Sequence, residues 1–251
     1  VYGSNKADRK LFDKLKKDKV LLGDFIDVRN GIATKSGKNN FLSPLKESDK
    51  YKKLLEAPNL FRYGFEWPGI YINYDKDLLH RPRKEETFLA NKILIQRVSS
   101  RLICSYDDSQ YYTFNSVNNL VLKEDNSYNL ILLLGILNSK LIDLFYRRNY
   151  SLGANFTITV TKTNLDSIPI PKWELKSKTQ QGVIELVNKV LAEMKGLLKV
   201  KNNYLDLLQS KFEIEKPTKK LKTWHELEFK DFLKELKKAK IQLGLSEEAE
   251  W

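Results

Sequence analysis

The spacing of apolar and polar residues changes several times along the chain, and each rhythm predicts an element. Residues 6–17 are charged, with Leu11, Phe12 and Leu15 spaced to form the inward face of a short helix. Residues 22–28 alternate loosely and read as a strand that Asn30–Gly31 turns. Residues 34–40 form a polar, glycine-containing loop before the apolar pair Phe41 and Leu42, and residues 47–55 read as a helix closed by Pro58. Trp67, Pro68 and Gly69 turn the chain into residues 70–74, which alternate with strand periodicity. A helical turn at 85–89 precedes a strand at 92–97. Further strands are expected at 101–106, 111–114 and 119–122, the first two joined in hairpin fashion by Asp107, Asp108 and Ser109.

A nearly all-apolar segment, 128–137, reads as a helix capped by Ser127 and buried nearly all round. Asn138 and Ser139 break and recap it, starting a second helix that ends near Arg148. Residues 151–155 form a loop, and Phe156, Ile158 and Val160 mark a strand with threonines on its other face. Residues 165–171 are extended, because a residue before proline is pushed out of the helical region. Beyond Pro171 the pattern changes. Val183, Val187, Val190, Met194, Leu197, Tyr204 and Leu208 recur at heptad spacing across 180–211, the seam of a helix packed on another helix. Lys201 interrupts that seam, and Gly182 and Gly196 weaken the helix, so it needs a partner surface. Thr223 as N-cap with Glu226 three residues on forms a capping box, predicting a helix to Leu243 ended by Gly244. Ser246 starts another helix that stops at Trp251, as in a fragment of a longer polypeptide.

These elements give an α+β fold. A twisted mixed β-sheet with flanking helices occupies residues 1–172, and a long helical spacer with a C-terminal helix occupies 173–251. Of the 251 residues, 41% are hydrophobic and 30% charged, enough for a packed core. No apolar run approaches the ~20 residues of a membrane span, the N-terminus has no signal-peptide pattern, and the expected location is the cytoplasm. The lone Cys104 excludes an internal disulfide and a multi-thiolate zinc site.

The net charge of +12 points to a polyanionic partner, although a lysine-favouring genome would raise it too. Distribution sharpens the point, because every arginine lies between Arg9 and Arg148 while lysine continues throughout. Arginine suits bidentate readout of guanine and lysine mainly neutralises phosphate, so the first two-thirds is the reading part.

Catalytic chemistry finds no footing. Gly31 and Gly37 mimic a phosphate-binding loop, but five residues separate them and Asn39 stands where a hydroxyl would hold magnesium. Nuclease-like acid–x–Lys pairs occur at Glu174/Lys176 and Glu235/Lys237, at a helix approach and inside a helix, where solvated helix charges explain them. An adenine methyltransferase needs a strand–GxG–helix turn and an Asn-Pro-Pro loop, and the chain has no Pro-Pro pair. His80 lies in a basic loop and His225 in the first turn of a helix. Cys104 alternates with Ile103 as a small buried hydrophobe, and a turn explains Asp107 and Asp108 better than a metal. No catalytic, cofactor-binding or metal-binding residue is assigned.

Three clusters suit DNA. Lys35, Ser36, Lys38, Asn39 and Asn40 put cations and amides on one loop; Arg62 and Tyr63 precede a tight turn, while Arg81 and Arg83 flank Pro82; Arg97 and Arg101 bracket the turn at 98–100. Arg147 and Arg148 end a helix and satisfy its dipole instead.

The order of motifs across 21–208 resembles the target-recognition domains of type I specificity subunits and of single-chain type IIG restriction–modification enzymes, the TaqI-like C-terminal specificity domain. The residues carrying the likeness are LGDFIDVRNGIAT at 22–34, KILIQR at 92–97, LLGILNSKL at 133–141 and LDSIPIP at 165–171 before a long helix. The segment 245–251 looks like the tail of type IIG chains. Thr34-Lys35-Ser36-Gly37 departs from the pattern, inserting two residues where the family often has Thr-Gly.

The resemblance implies a non-catalytic module that reads double-stranded DNA from one face. A methyltransferase domain or separate subunit holds the other face and flips out an adenine, and the long helix sets the spacing between them. S-adenosylmethionine and Mg²⁺ would then belong to catalytic domains elsewhere. Two rivals are a non-DNA scaffold using the helical seam, and a divergent Mg²⁺-dependent nuclease with Glu174 or Asp166 as ligands.

Overall fold

The computed structural model describes residues 6–17, 19–123, 128–150, 157–172, 177–239 and 241. The chain forms two compact units, Val1–Ala192 and Glu193–Trp251.

The first unit is built on a four-stranded antiparallel sheet in the order Cys104–Asp107, Lys92–Gln96, Val117–Leu122, Ile26–Asn30. Lys92–Gln96 and Val117–Leu122 are its inner strands, and both are buried over almost their whole length. That is why Ile93, Leu94 and Ile95 run consecutively without polar alternation: both faces are covered. One cover is the helix Leu130–Leu137, whose Leu132, Leu133, Leu134 and Leu137 are fully buried with Ile93, Ile95 and Leu120. Asn129 caps it, its side-chain oxygen accepting the Ile131 N–H at 2.7 Å. Asn138 ends it and bridges to the edge strand, accepting from the Cys104 N–H at 3.3 Å and donating to the Cys104 carbonyl at 2.9 Å. Ser139 then accepts the Ile142 N–H at 3.2 Å and restarts the chain as the helix Lys140–Tyr150. The expected break and recap is therefore present.

A second four-stranded sheet runs Tyr112–Thr113, Tyr51–Leu55, Tyr71–Asn73, Leu42–Ser43, parallel in its first pairing and antiparallel in the others. Beneath it Ile32, Leu54, Ile72, Tyr74, Leu79, Phe88 and Tyr112 form their own core. Short pairings complete the unit. Lys19–Leu21 lies antiparallel to Pro169–Pro171, Ala33–Thr34 to Leu79–Arg81, Val98–Ser99 to Ile158–Thr159, and Leu60–Phe61 to Gly64–Phe65. The class is α+β as expected, but among the described residues two four-stranded sheets stand in place of one mixed sheet, and only the second is mixed.

The helix Lys178–Phe212 is long, as its pattern predicts, but its apolar seam is not continuous. Val183, Ile184, Val187 and Leu191 pack on the core of the first unit. Gly135 makes room there, since a Cβ at that position would come within 2.6 Å of Val187 Cγ2. Val190 and Leu197 are exposed. Tyr204, Leu208 and Phe212 join Ile214, Leu221, Phe232 and Leu236 in the core of the second unit.

Several local expectations are overturned. Tyr51–Leu55 is a strand, not part of a helix, because pairing on both sides outweighs the helix-compatible Lys-rich composition. The expected strand 22–28 begins as a helical turn, Leu22–Phe25, where Asp24 accepts the Leu21 N–H at 2.7 Å. Leu165 and Asp166 close a short helix, Lys162–Asp166, and only Pro169–Pro171 is extended. In the first helix, Lys6–Lys16, Leu11 faces outward and Phe12 inward. Asp107–Ser109 does not join a hairpin. The strand before it pairs within the first sheet and the strand after it enters the second. Thr223 caps nothing: it lies inside the 3-10 segment Leu221–Glu226, its hydroxyl donates to the Lys220 carbonyl, and the following helix, Phe229–Lys238, starts after Glu228. Glu235 is not a solvated helix charge but is buried, accepting from Thr218 at 2.8 Å and Lys238 at 2.7 Å. The expectations for Ser127, 151–155, Phe156, Glu174 and 242–251 lie outside the described residues.

Candidate nucleic-acid interface

The site grows from the turn Phe114–Val117, which connects a strand of the second sheet to a central strand of the first. The Val117 N–H closes it on the Phe114 carbonyl at 2.9 Å. Gly31 crosses directly against it. Its N–H donates to the Val117 carbonyl at 3.2 Å, Ile32 donates to the Thr113 carbonyl at 2.8 Å, and a Cβ on Gly31 would stand 2.2 Å from the Phe114 oxygen. Only glycine fits so close a backbone crossing.

Three arginines gather around this crossing. Arg97 follows the central strand Lys92–Gln96. Its backbone N–H donates to the Ser116 carbonyl at 2.9 Å and its Nη1 to the Asn115 carbonyl at 2.9 Å. Arg83 donates Nε to the Gly31 carbonyl at 3.1 Å, and the Tyr74 hydroxyl donates to the Arg83 carbonyl. Arg81 ends the strand paired with Ala33 and is exposed. Burial, and after it the charges of Arg81 and Arg97, push the Arg83 guanidinium below the ordinary arginine value. Arginine stays charged regardless, so the physical content is a concentration of like charge. Among the described residues none of the three has a carboxylate partner. Such a group attracts an anion and holds several guanidinium N–H donors ready.

The lysine loop borders the same neighbourhood, but its cations already have protein partners. Lys38 Nζ pairs with Glu56 at 2.8 Å and lies 5.8 Å from the centre of the Phe114 ring. Lys35 Nζ donates to the Asp77 carbonyl at 2.6 Å. Asn39 and Asn40 are exposed in the 3-10 turn Lys38–Phe41. Of the residues singled out in the sequence, the structure therefore draws together Lys35, Lys38, Arg81, Arg83 and Arg97.

Arg62 and Tyr63 belong to another neighbourhood. They form the turn of the hairpin between Phe61 and Gly64, with Tyr63 at φ 67° and its N–H on the Cys104 carbonyl at 2.9 Å. The Tyr63 ring packs on the first core, and burial raises its hydroxyl pKa. The Arg62 guanidinium lies over that ring at 5.8 Å, and its buried Nε has no hydrogen-bond partner among the described residues. Arg101 is exposed beside Leu102, whose N–H donates to Asp143 at 2.9 Å. Arg147 pairs with Asp143 at 3.2 Å, consistent with a helix-end role.

Asp107 serves the fold. It accepts the N–H groups of Ser109 at 2.9 Å and Tyr111 at 3.1 Å, and it pairs with Lys92 at 2.6 Å with both side chains fully buried. Asp166 ion-pairs with Lys162 at 3.4 Å. Cys104 is fully buried, and burial pushes its thiol pKa up. Glu56 and Asn115 escaped the sequence reading. The one available signal was that Asn115 and Ser116 link two expected strands.

Residues 52–170 match the model of the TaqI-like C-terminal specificity domain, and residues 176–251 match one described as a domain of unknown function (DUF8810). No curated protein matches the chain in sequence. Among solved structures, a type I restriction–modification S subunit from M. genitalium aligns at a TM-score of 0.46 and 15% identity. That alignment covers 78% of this chain and 48% of that one. The type IIG restriction endonuclease BpuSI aligns at 0.49 and 12% identity, covering 73% of this chain and 28% of that one. The HsdS subunit from Thermoanaerobacter tengcongensis aligns at 0.44 and 13%, covering 93% and 51%. The chain thus spans about half the length of these proteins or less. Among the described residues no helix is long and apolar enough to cross a membrane. Residues 52–170, which contain Arg81, Arg83, Arg97 and the turn they surround, are similar to the TaqI-like C-terminal specificity domain.

Proposed function

We propose that this chain reads a short DNA sequence for a restriction–modification enzyme and does no covalent chemistry itself. The observation that carries the reading is the group Arg81, Arg83 and Arg97 inside the matched segment, with Arg83 braced on the Gly31 carbonyl and Arg97 on the Asn115 carbonyl and Arg81 exposed beside them. A guanidinium fixed by hydrogen bonds to rigid backbone keeps its remaining N–H groups in a set direction, as recognition of guanine or phosphate requires. Lys35 and Lys38 exchange their protein partners for phosphate, and Asn39 and Asn40 flank that contact. Methyl transfer and cleavage, with S-adenosylmethionine and Mg²⁺, belong to catalytic domains on the same polypeptide or on a separate subunit in the cytoplasm. Exposed Leu197, Val200 and Leu207 on the long helix support a protein partner for that part of the chain.

The test is fluorescence anisotropy of the 251-residue chain with labelled duplexes across a salt series. Log affinity should fall linearly with log salt, with a slope of about −0.9 per phosphate neutralised, and one sequence should outcompete random duplex. Replacing Arg81 and Arg97 together by Ala should abolish that preference. A salt-independent affinity, or equal binding of all sequences by the unaltered chain, overturns the proposal.

A further inference from the structure

We infer that Asn115 is a base-reading residue, an amide held at the centre of the arginine group to pair with an adenine edge. The inference rests on the DNA-reading proposal above and adds a residue to it. Asn115 is the exposed residue of the turn Phe114–Val117, while Phe114 and Ser116 on either side are partly buried. Its backbone is held from several directions. Arg97 Nη1 donates to its carbonyl at 2.9 Å, the Ser116 carbonyl accepts the Arg97 N–H at 2.9 Å, the Ser116 hydroxyl accepts the Ala57 N–H at 3.1 Å, and Gly31 abuts the Phe114 oxygen. These contacts fix the backbone from which the Asn115 side chain projects.

Nothing in the turn itself asks for asparagine. Asparagine is common in turns because it tolerates positive φ or because its side chain bonds nearby backbone. Asn115 has no positive φ, and its side-chain amide makes no hydrogen bond among the described residues. The turn closes through the Val117 N–H and Phe114 carbonyl instead. An exposed, unspent amide therefore stands beside the side chain of Arg97, with Arg81 and Arg83 close by and Lys38 against the neighbouring Phe114 ring. An amide offers one donor and one acceptor side by side, the complement of N6 and N7 of adenine in the major groove. The cations around it deliver the phosphates and guanines that fix its register.

Selection of binding sites from a random duplex library, followed by sequencing, tests this with the whole chain and its Asn115→Ala variant. The expected result is a loss of preference for adenine at one position, by about ten- to hundredfold. Preferences elsewhere in the site and the salt slope should stay unchanged. If the unaltered chain selects a site and Asn115→Ala selects the same site with the same preference at every position, the role of Asn115 is overturned and the DNA-reading proposal stands. If the unaltered chain selects no site, both are overturned. A variant that loses all preference while its circular dichroism is native would make Asn115 a brace for the turn and not a reader, which also overturns the inference.

Discussion

Replacing Asp107 with Asn isolates the charge that lies deepest in the first unit. Lys92 Nζ stands 2.6 Å from Asp107, both side chains are fully buried, and the ammonium also donates to the Phe88 carbonyl at 2.6 Å. Burial pushes the Lys92 pKa below the ordinary lysine value, and Asp107 works against that shift. Asn removes the countercharge but keeps an oxygen for the Ser109 N–H, so the turn survives and the stranded ammonium supplies most of the loss. Breaking one side of a buried pair costs ~3–5 kcal/mol, and the retained carbonyl contacts place Asp107→Asn near the lower end. At ~3 kcal/mol the melting temperature should fall by roughly 6–12 °C. Adding Lys92→Met removes the orphaned charge and should bring stability back to within ~1–2 kcal/mol, the remainder being the unpaired Tyr111 N–H.

The pH dependence has a definite sign. A lysine with a depressed folded pKa destabilises while it must be charged, so the deficit of Asp107→Asn should shrink as pH rises through that depressed pKa towards the ordinary lysine value. Urea unfolding followed by circular dichroism, at neutral and mildly alkaline pH, measures each term. A single variant within ~1 kcal/mol of the parent, or a double variant no better than the single, would refute the reasoning.

Glu56→Gln releases Lys38 from its ion pair and removes a negative charge beside the proposed phosphate contact; anisotropy should show tighter duplex binding and a slightly steeper salt slope. Gly31→Ala forces a methyl to within 2.2 Å of the Phe114 oxygen; it should lower stability by at least ~1–3 kcal/mol in urea unfolding and erase sequence preference together. Burial pushes the Tyr74 and Tyr146 hydroxyls up to about 12, so their contribution to stability is intact below the ordinary tyrosine pKa and lost as pH rises through about 12. An absorbance titration of the phenolates should accordingly show a late wave that coincides with unfolding. A single wave near the ordinary tyrosine value would contradict the buried placement of these rings.

What could be read from residues alone tracks how local the cause is. The run at 92–96 and the sequence Leu137-Asn138-Ser139 announce a covered strand and a broken helix, because burial on two faces and capping both act within a few residues. Tyr51–Leu55 hides its strand because the partners that hold it, at 71–73 and 112–113, lie far along the chain. Thr223 illustrates the opposite error: a good local capping pattern loses when its hydroxyl finds the Lys220 carbonyl. For the site, arginine placement pointed to the part of the chain that overlaps the segment matching the specificity-domain model. It could not separate Arg83, set against Gly31, from Arg62, set over a packed tyrosine. Glu56 and Asn115 acquire meaning only from neighbours that folding brings to them.

The pairing of Lys19–Leu21 with Pro169–Pro171 gives the part of the first unit between them a modular character. Its incoming and outgoing chain segments run side by side, about one inter-strand spacing apart, ~4.8 Å. A unit with different loops but the same two adjoining strands could be exchanged for this one without moving whatever flanks it. Under the proposed DNA-reading function, recombination at those two strands would change the sequence read in one event.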